Sequence, residues 1–559
     1  MSRKTYDVLI VGSGASGGIA AKVLTECGLD TLLLEAGPSI SRSDYLTHSF
    51  PYDFPFRGRG SPSKIRKDGA RAARENTPVK GWYAELSENP YITPPNNPFD
   101  WQYRSRILGG RTLHWGRQSL RFADYDFKPA SIDGQGIDWP FGYEELEPYY
   151  DKVEDYIGVQ GFYENLPQIP DGKFQPAFAY NCYEHLMSKA AIKMGRRLTA
   201  LRIAQLSRPH RGRPACHCCG SCGSGCDIDA FFTTPAVTLP DAMATGNLTL
   251  QTDAVVRHVM VNDEARATGV GYFNRLTKSY KEAFAKVVVL AGSTLESTRI
   301  MLNSTSRHFS TGLANSSGVL GHYLMDHTEP GTVWATLPEL TGGAILNEDG
   351  KSNGSYIPRW HNLANEKPHP DFLRGYGIMV KGGAQIYPGH ANKIEGFGAG
   401  YKRRVKDFHP AIIRVYPRGE ALPNHDSFVE IDKNVVDAWG IPVLRINYAR
   451  TDNDFKMAKQ AMEDVFELVD HAGAEILHVN DKLAEPGNVA HEMGTARMGQ
   501  NPRTSVLNGY NQAHDIDNLL VVDGAGFPSS SCQNPTLTFM AVAWRASEHL
   551  VERLKRGEL

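Results

Sequence analysis

This 559-residue sequence predicts an α/β fold: a dinucleotide-binding unit of Rossmann type joined to an α+β unit with a mainly antiparallel sheet. Three observations predict it. Residues 1–37 read as strand, glycine turn, helix, strand and acidic residue. A second strand-then-glycine unit returns at residues 518–525. Between them, residues 332–448 alternate short β-rich runs with Gly, Pro and Asn turns, the pattern of antiparallel strands.

The elements follow in order. Residues 7–11 form a buried β run that enters Gly12-Ser13-Gly14-Ala15-Ser16-Gly17-Gly18, and residues 19–24 carry helical periodicity. Gly12 permits the tight turn, Gly14 lets the backbone approach a pyrophosphate, and Gly17 lets helix and strand pack closely. The helix N-terminus offers free N–H groups to the phosphates. Residues 31–34 form the next strand, and Glu35 follows where a ribose hydroxyl would be bound.

Residues 38–104 lose this regularity. They include the basic run Arg57, Arg59, Lys64, Arg66, Lys67, Arg71 and Arg74, interrupted only by Asp68, which reads as a solvated loop or a docking arm. Order returns around Gly109-Gly110. Residues 143–157 then form an amphipathic helix that Pro148 kinks or starts. Residues 248–271 and 286–292 read as strands, 293–302 as a helix and 537–554 as a closing helix.

Composition narrows the function. Lys+Arg 60 against Asp+Glu 62 gives a formal charge of −2, which excludes the basic footprint of a nucleic-acid binder. With 41% hydrophobic and 22% charged residues the chain has a globular composition. No apolar run reaches the roughly 18 residues of a membrane span. The N-terminus lacks an export signal, so the expectation is a cytoplasmic protein, or one carried to the periplasm by a signal-bearing partner.

Five pieces, in order along the chain, resemble the glucose–methanol–choline (GMC) oxidoreductase family. They are the Gly12–Gly17 fingerprint with Glu35, the Gly109-Gly110 turn, residues 287–292, the run from His491 to Gly499, and Asp523-Gly524 followed by Asn534-Pro535-Thr536. Thr112-Leu113-His114-Trp115 and Asn534-Pro535-Thr536 place it nearest the pyranose-oxidising branch. The resemblance implies bound FAD in a discontinuous domain (residues 1–50, 104–120, 200–331 and 486–559). It also implies a substrate domain (121–199 and 332–485), with 51–103 as an insertion, lid or docking arm. Val256, Ala291, Asp523, Gly524 and Thr536 join the glycines and Glu35 as expected cofactor contacts, and His114 as a residue near the flavin or covalently attached to it.

The implied reaction converts a sugar or glycoside ring hydroxyl, at C3, to a ketone, as in glucoside 3-dehydrogenases. Such a reaction needs a neutral base within hydrogen-bond reach of the hydroxyl. Imidazole suits that role at neutral pH. The family pattern places His491 there, with Asn534 orienting the hydroxyl, and His327 and Gln385 are candidate substrate contacts.

The cysteines point to a second cofactor. Of eight, five lie in residues 216–226, and Cys216, Cys219, Cys222 and Cys226 have the C-x2-C-x2-C-x3-C spacing that holds an iron–sulfur cluster in bacterial ferredoxins. Asp227, not proline, follows the last of them. The subset Cys216, Cys222 and Cys226 resembles the site in large subunits of bacterial FAD glucose and fructose dehydrogenases. A [3Fe–4S] or [4Fe–4S] cluster is the expectation, and a structural zinc site its competitor. A cluster implies a dehydrogenase with a small subunit and a c-type cytochrome; without one, an oxygen-using pyranose or C-glycoside oxidase is the rival. A flavin-binding subunit that does not turn over is the third reading.

Overall fold

The computed structural model describes residues 4–49, 51–53, 82–101, 103–346, 350–351, 354–363, 367–383 and 389–559. The basic run at 57–74 and Gln385 lie outside them.

Continuous apolar runs build the first sheet, as strands covered on both faces require. Residues 8–11, 32–34 and 287–290 are all buried. Its strands run in the order Leu248–Gln251, Thr31–Leu34, Thr5–Val11, Tyr280–Leu290, Ala267–Asn274 and Ala254–Val261, and Leu519–Val521 also joins Tyr280–Leu290. Val8 sits opposite Thr31 on one side and Val287 on the other, both pairings parallel. The closing strand-then-glycine unit returns to this sheet, with Leu519 in parallel register with Val288. Residues separated by hundreds of positions thus meet at one sheet end.

The second sheet is antiparallel at every pairing, in the order Glu475–Asn480, Thr332–Thr336, Ile412–Gly419, Tyr376–Gly382, Ser355–Ile357 and Thr199–Ala200. Met457, Ala461, Val465 and Leu468 of the Asp452–His471 helix close its core, together with Met187 and Ala191 of the Cys182–Lys193 helix. A separate hairpin, Phe428–Val436 with Pro442–Asn447, packs Val429 and Leu444 against Leu295 and Leu324.

The helix Tyr143–Ile157 contains Pro148 without ending there. Proline removes one N–H and frees the carbonyl four residues earlier; here that carbonyl belongs to exposed Glu144, where water can serve it. This helix was expected with the substrate unit, but its Leu146, Tyr150, Val153 and Tyr156 pack in the core of the parallel sheet, as do Phe122, Phe127 and Trp139. The Tyr150 hydroxyl reaches Thr538 Oγ1 at 2.9 Å and Lys152 Nζ reaches Glu548 at 2.7 Å, binding it to the C-terminal helix Thr536–Lys555.

Candidate active site

The nucleotide end is built by the first glycine turn. Gly12 has φ +101°, and a Cβ there would meet Ala291 O at 2.4 Å. A Cβ on Gly17 would lie 1.9 Å from Gly12 O, so helix Ala15–Glu26 can approach the strand only with glycine there. Gly14 differs. A Cβ on it would meet no protein atom within 4 Å, and it caps the helix without a side-chain hydrogen bond, leaving first-turn N–H groups for a phosphate. Across from it, Gly110 brings the second glycine turn to 3.8 Å from Gly14 Cα, measured from the position of a Cβ.

Ser13 ties these turns together. Its Oγ donates to Glu35 Oε2 at 2.6 Å and accepts from Gly109 N at 2.8 Å. Glu35 also accepts from Gly37 N at 2.8 Å, and burial raises its pKa. Glu35 O accepts from Ala254 N at 2.9 Å, which starts the strand carrying buried Val256 beside the same end of the sheet. Ala291 N bonds to Val11 O at 2.8 Å. Asp523 is used internally: its carboxylate accepts from Ser297 Oγ at 2.5 Å and Ala525 N at 3.0 Å, and burial raises its pKa to about 6. Gly494 N bonds to Gly524 O at 2.9 Å, pairing the His491 segment with the closing glycine turn.

That pairing assembles the reactive end. Asn534 Nδ2 donates to His491 Nε2 at 3.1 Å, across 43 positions of sequence, which places the imidazole proton on Nδ1. His491 Nδ1 is buried with no hydrogen-bond partner among the described residues. Burial, then the Arg418 charge, then His327 and Arg111 hold the His491 pKa well below 6.5. It is therefore a neutral imidazole whose Nε2 lone pair accepts from Asn534 and would be handed to a substrate hydroxyl placed between them. Thr536, next but one after Asn534, opens the C-terminal helix.

His327 stands beside it, ring centroids 4.9 Å apart and 69° inclined. Both its ring nitrogens are buried without a partner among the described residues, and burial with Arg418 keeps it neutral. Unsatisfied polar atoms at such density mark a place where another group completes the hydrogen bonding. Asp326, Glu492 and Arg111 complete the surroundings. Asp326 Oδ1 accepts the main-chain N–H of His327 at 2.8 Å and of His491 at 3.1 Å. Arg111, directly after the second glycine turn, donates to Glu492 Oε2 at 2.7 Å and Ala490 O at 2.5 Å. None of these three was singled out from the sequence. Adjacency to His327, His491 and Gly110 is the one signal that could have found them.

The GMC oxidoreductase N-terminal model matches residues 6–329 and the C-terminal model residues 423–543. The chain belongs to the GMC oxidoreductase family. It is 29% identical to 2-methyl-1,2-propanediol dehydrogenase of Mycolicibacterium austroafricanum, over 98% of this chain and 95% of that one. It is 26% identical to the fructose dehydrogenase large subunit of Gluconobacter japonicus, over the whole of both chains. The crystal structure of pyridoxine 4-oxidase from Mesorbium loti shares the fold, with a TM-score of 0.61 and 16% identity, over 97% of this chain and 98% of that one.

As a GMC oxidoreductase the chain is an FAD-dependent enzyme, and its turns fit that cofactor: the space in front of Gly14 and the first-turn N–H groups suit a pyrophosphate. His114 lies just beyond the second glycine turn, with Nε2 2.5 Å from Ser105 Oγ and Nδ1 3.5 Å from the Tyr83 hydroxyl. Burial, then Arg111, pushes its pKa down to about 3.

The cysteine segment is tied to the same turn. Trp115 Nε1 donates to Phe232 O at 3.0 Å, and Arg117 Nη1 to Cys222 O at 3.4 Å. Cys216 Sγ accepts from Gln205 Nε2 at 2.7 Å and Cys218 N at 3.2 Å, and Cys226 Sγ from Ala230 N at 3.2 Å. Burial raises the Cys219 thiol and lifts Cys226 to about 11. Among the described residues no three His, Cys, Asp or Glu side chains are gathered as a metal ion would require, Cys216, Cys219, Cys222 and Cys226 included.

Proposed function

We propose that this GMC oxidoreductase oxidises a ring hydroxyl of a sugar or glycoside to a ketone, with His491 as the base and Asn534 as its partner. The observation that carries this reading is the 3.1 Å contact between Asn534 Nδ2 and Nε2 of a neutral, half-buried His491. A base of this kind takes the hydroxyl proton, and the Asn534 amide orients the oxygen and donates to it as charge develops. His327 supplies a second neutral imidazole for a neighbouring hydroxyl, which suits an uncharged polyol. Bound FAD supplies the hydride acceptor, with Gly12, Gly14, Gly17, Glu35, Gly109 and Gly110 holding its nucleotide half. The relatives named above act on a 1,2-diol and on fructose, both polyhydroxylated alcohols.

Anaerobic flavin bleaching against a panel of sugars and glycosides, followed by NMR of the product, tests the reading. Bleaching with a C3 ketone product supports its finest form, and bleaching by simple alcohols alone overturns the sugar assignment.

The cysteine segment carries the proposed exit for electrons. Its spacing favours an iron–sulfur cluster at Cys216, Cys219, Cys222 and Cys226, serving a c-type cytochrome, and the four thiols would have to draw together to hold it. The whole-length likeness to a large subunit supports a small partner subunit, which in this reading also brings the chain to the periplasm. Iron analysis with electron paramagnetic resonance tests the cluster; zinc without iron overturns it. Hydrogen peroxide formed in air would assign the electrons to oxygen instead.

A further inference from the structure

One buried carboxylate holds the main chains of both histidines of the site. Asp326 Oδ1 accepts two main-chain N–H groups, from His327 at 2.8 Å and His491 at 3.1 Å, although the two residues are separated by more than 160 positions. The Tyr448 hydroxyl, 3.3 Å from Asp326 O and 3.4 Å from its N, fixes the Asp326 main chain in turn. With both backbones pinned to one oxygen, the rings stay edge to face at 4.9 Å.

The other oxygen has a different environment. Asp326 Oδ2 is buried with no hydrogen-bond partner among the described residues, and so is Glu492 Oε1. Glu492 has its ion pair through Oε2, with Arg111 at 2.7 Å. Of the other cations facing Asp326, Arg418 is paired with Glu329 at 3.5 Å and Arg450 donates to Ala484 O. His327 and His491 are neutral, and Tyr448 is held in its phenol form by burial. A second full negative charge beside Glu492 would therefore be desolvated, with only the two main-chain N–H groups and the already paired Arg418 to offset it.

We propose that Asp326 is a positioning residue for the oxidation, carrying a proton on Oδ2 in the resting protein while Oδ1 holds the main-chain N–H groups of His327 and His491. The inference rests on His491 being the base. Burial first, and the Glu492 charge second, push the Asp326 pKa up to about 7, so the proton is lost as pH rises through that value. Its loss adds a negative charge at the residue that anchors both histidine backbones, which raises the basicity of the imidazoles and alters the rate of proton removal.

Infrared difference spectra of the holoenzyme and the substitutions D326N and D326A test this. The expected spectrum shows the carbonyl band of a protonated carboxylic acid that disappears as pH rises through about 7 and is missing from D326N. D326N keeps an acceptor oxygen for both N–H groups, so kcat should fall by less than about tenfold while the step in kcat near that pH vanishes. D326A loses the anchor, and kcat should fall by about 10²-fold with little change in KM, the effect of a misplaced catalytic group.

Absence of the band, or a D326N pH profile identical to the parent, overturns the proton. D326A activity equal to that of D326N overturns the positioning role. Should D326A fail to fold, a D326N loss beyond about 10²-fold overturns it instead. The band needs no turnover, so it reports on Asp326 even if substitution of His491 shows the base to lie elsewhere.

Discussion

The His491 cleft and the cysteine segment are opposites in how sequence becomes site. The cleft draws on Arg111, Asp326, His327, His491, Glu492 and Asn534, scattered over more than 400 positions, and joins them by hydrogen bonds of 2.7 to 3.1 Å. The cysteine segment packs four candidate ligands into eleven consecutive residues, yet their side chains are not gathered as metal ligands. Crowding along the chain is not convergence in space. In the cleft, a strand pairing and the turn that follows it do the gathering: Leu519 pairs with Val288, and Gly494 N bonds to Gly524 O.

The largest effect that could break this contrast is at the base. His491→Ala should lower kcat by about 10²–10⁴-fold, the usual contribution of a positioned general base, while FAD stays bound. Stopped-flow flavin reduction measures the step directly, and a rate within tenfold of the parent would remove the cleft from the chemistry.

Next come the glycines. Gly17→Ala forces a Cβ to within 1.9 Å of Gly12 O, so the folded yield itself should fall. Gly14→Ala meets no protein atom within 4 Å, so the protein should fold and lose FAD affinity. Thermal melts of the apoproteins and FAD titration separate the two; equal melts for both would refute the distinction. A smaller effect on the flavin reaction is expected from replacing Cys216, Cys219, Cys222 and Cys226 together by Ser. Reduction by substrate should persist and cytochrome reduction should cease, and unchanged cytochrome reduction would leave the segment a structural loop.

Much of the fold was legible because it rests on local patterns. The buried runs at 8–11, 31–34 and 287–290, the glycine spacing and the Tyr143–Ile157 helix each carry their signal within a few residues. Which core that helix joins was not legible, since Tyr150 and Lys152 choose Thr538 and Glu548, nearly 400 positions away. The same reason hid Asp326. An aspartate beside a histidine has no pattern of its own, and its role exists only when Tyr448 and the His491 backbone come to it.

The smallest expected effect concerns acid. An ordinary imidazole gains its proton near pH 6.5, and a base of that kind would lose half its activity there. His491 is held well below that value by burial and by Arg418, so it stays neutral as pH falls through 6.5. Apart from the step from Asp326 near pH 7, the acid limb of the rate of flavin reduction should accordingly lie below pH 6.5, even though free histidine would already be largely protonated. Stopped-flow reduction across this range, with FAD content checked at each pH, decides the point. A midpoint at 6.5 would mean that neither burial nor Arg418 shifts the imidazole. The packing of His491 against His327 and Arg418 would then leave no mark on the base, and the contrast between a site gathered from distant segments and one strung along a single segment would fail.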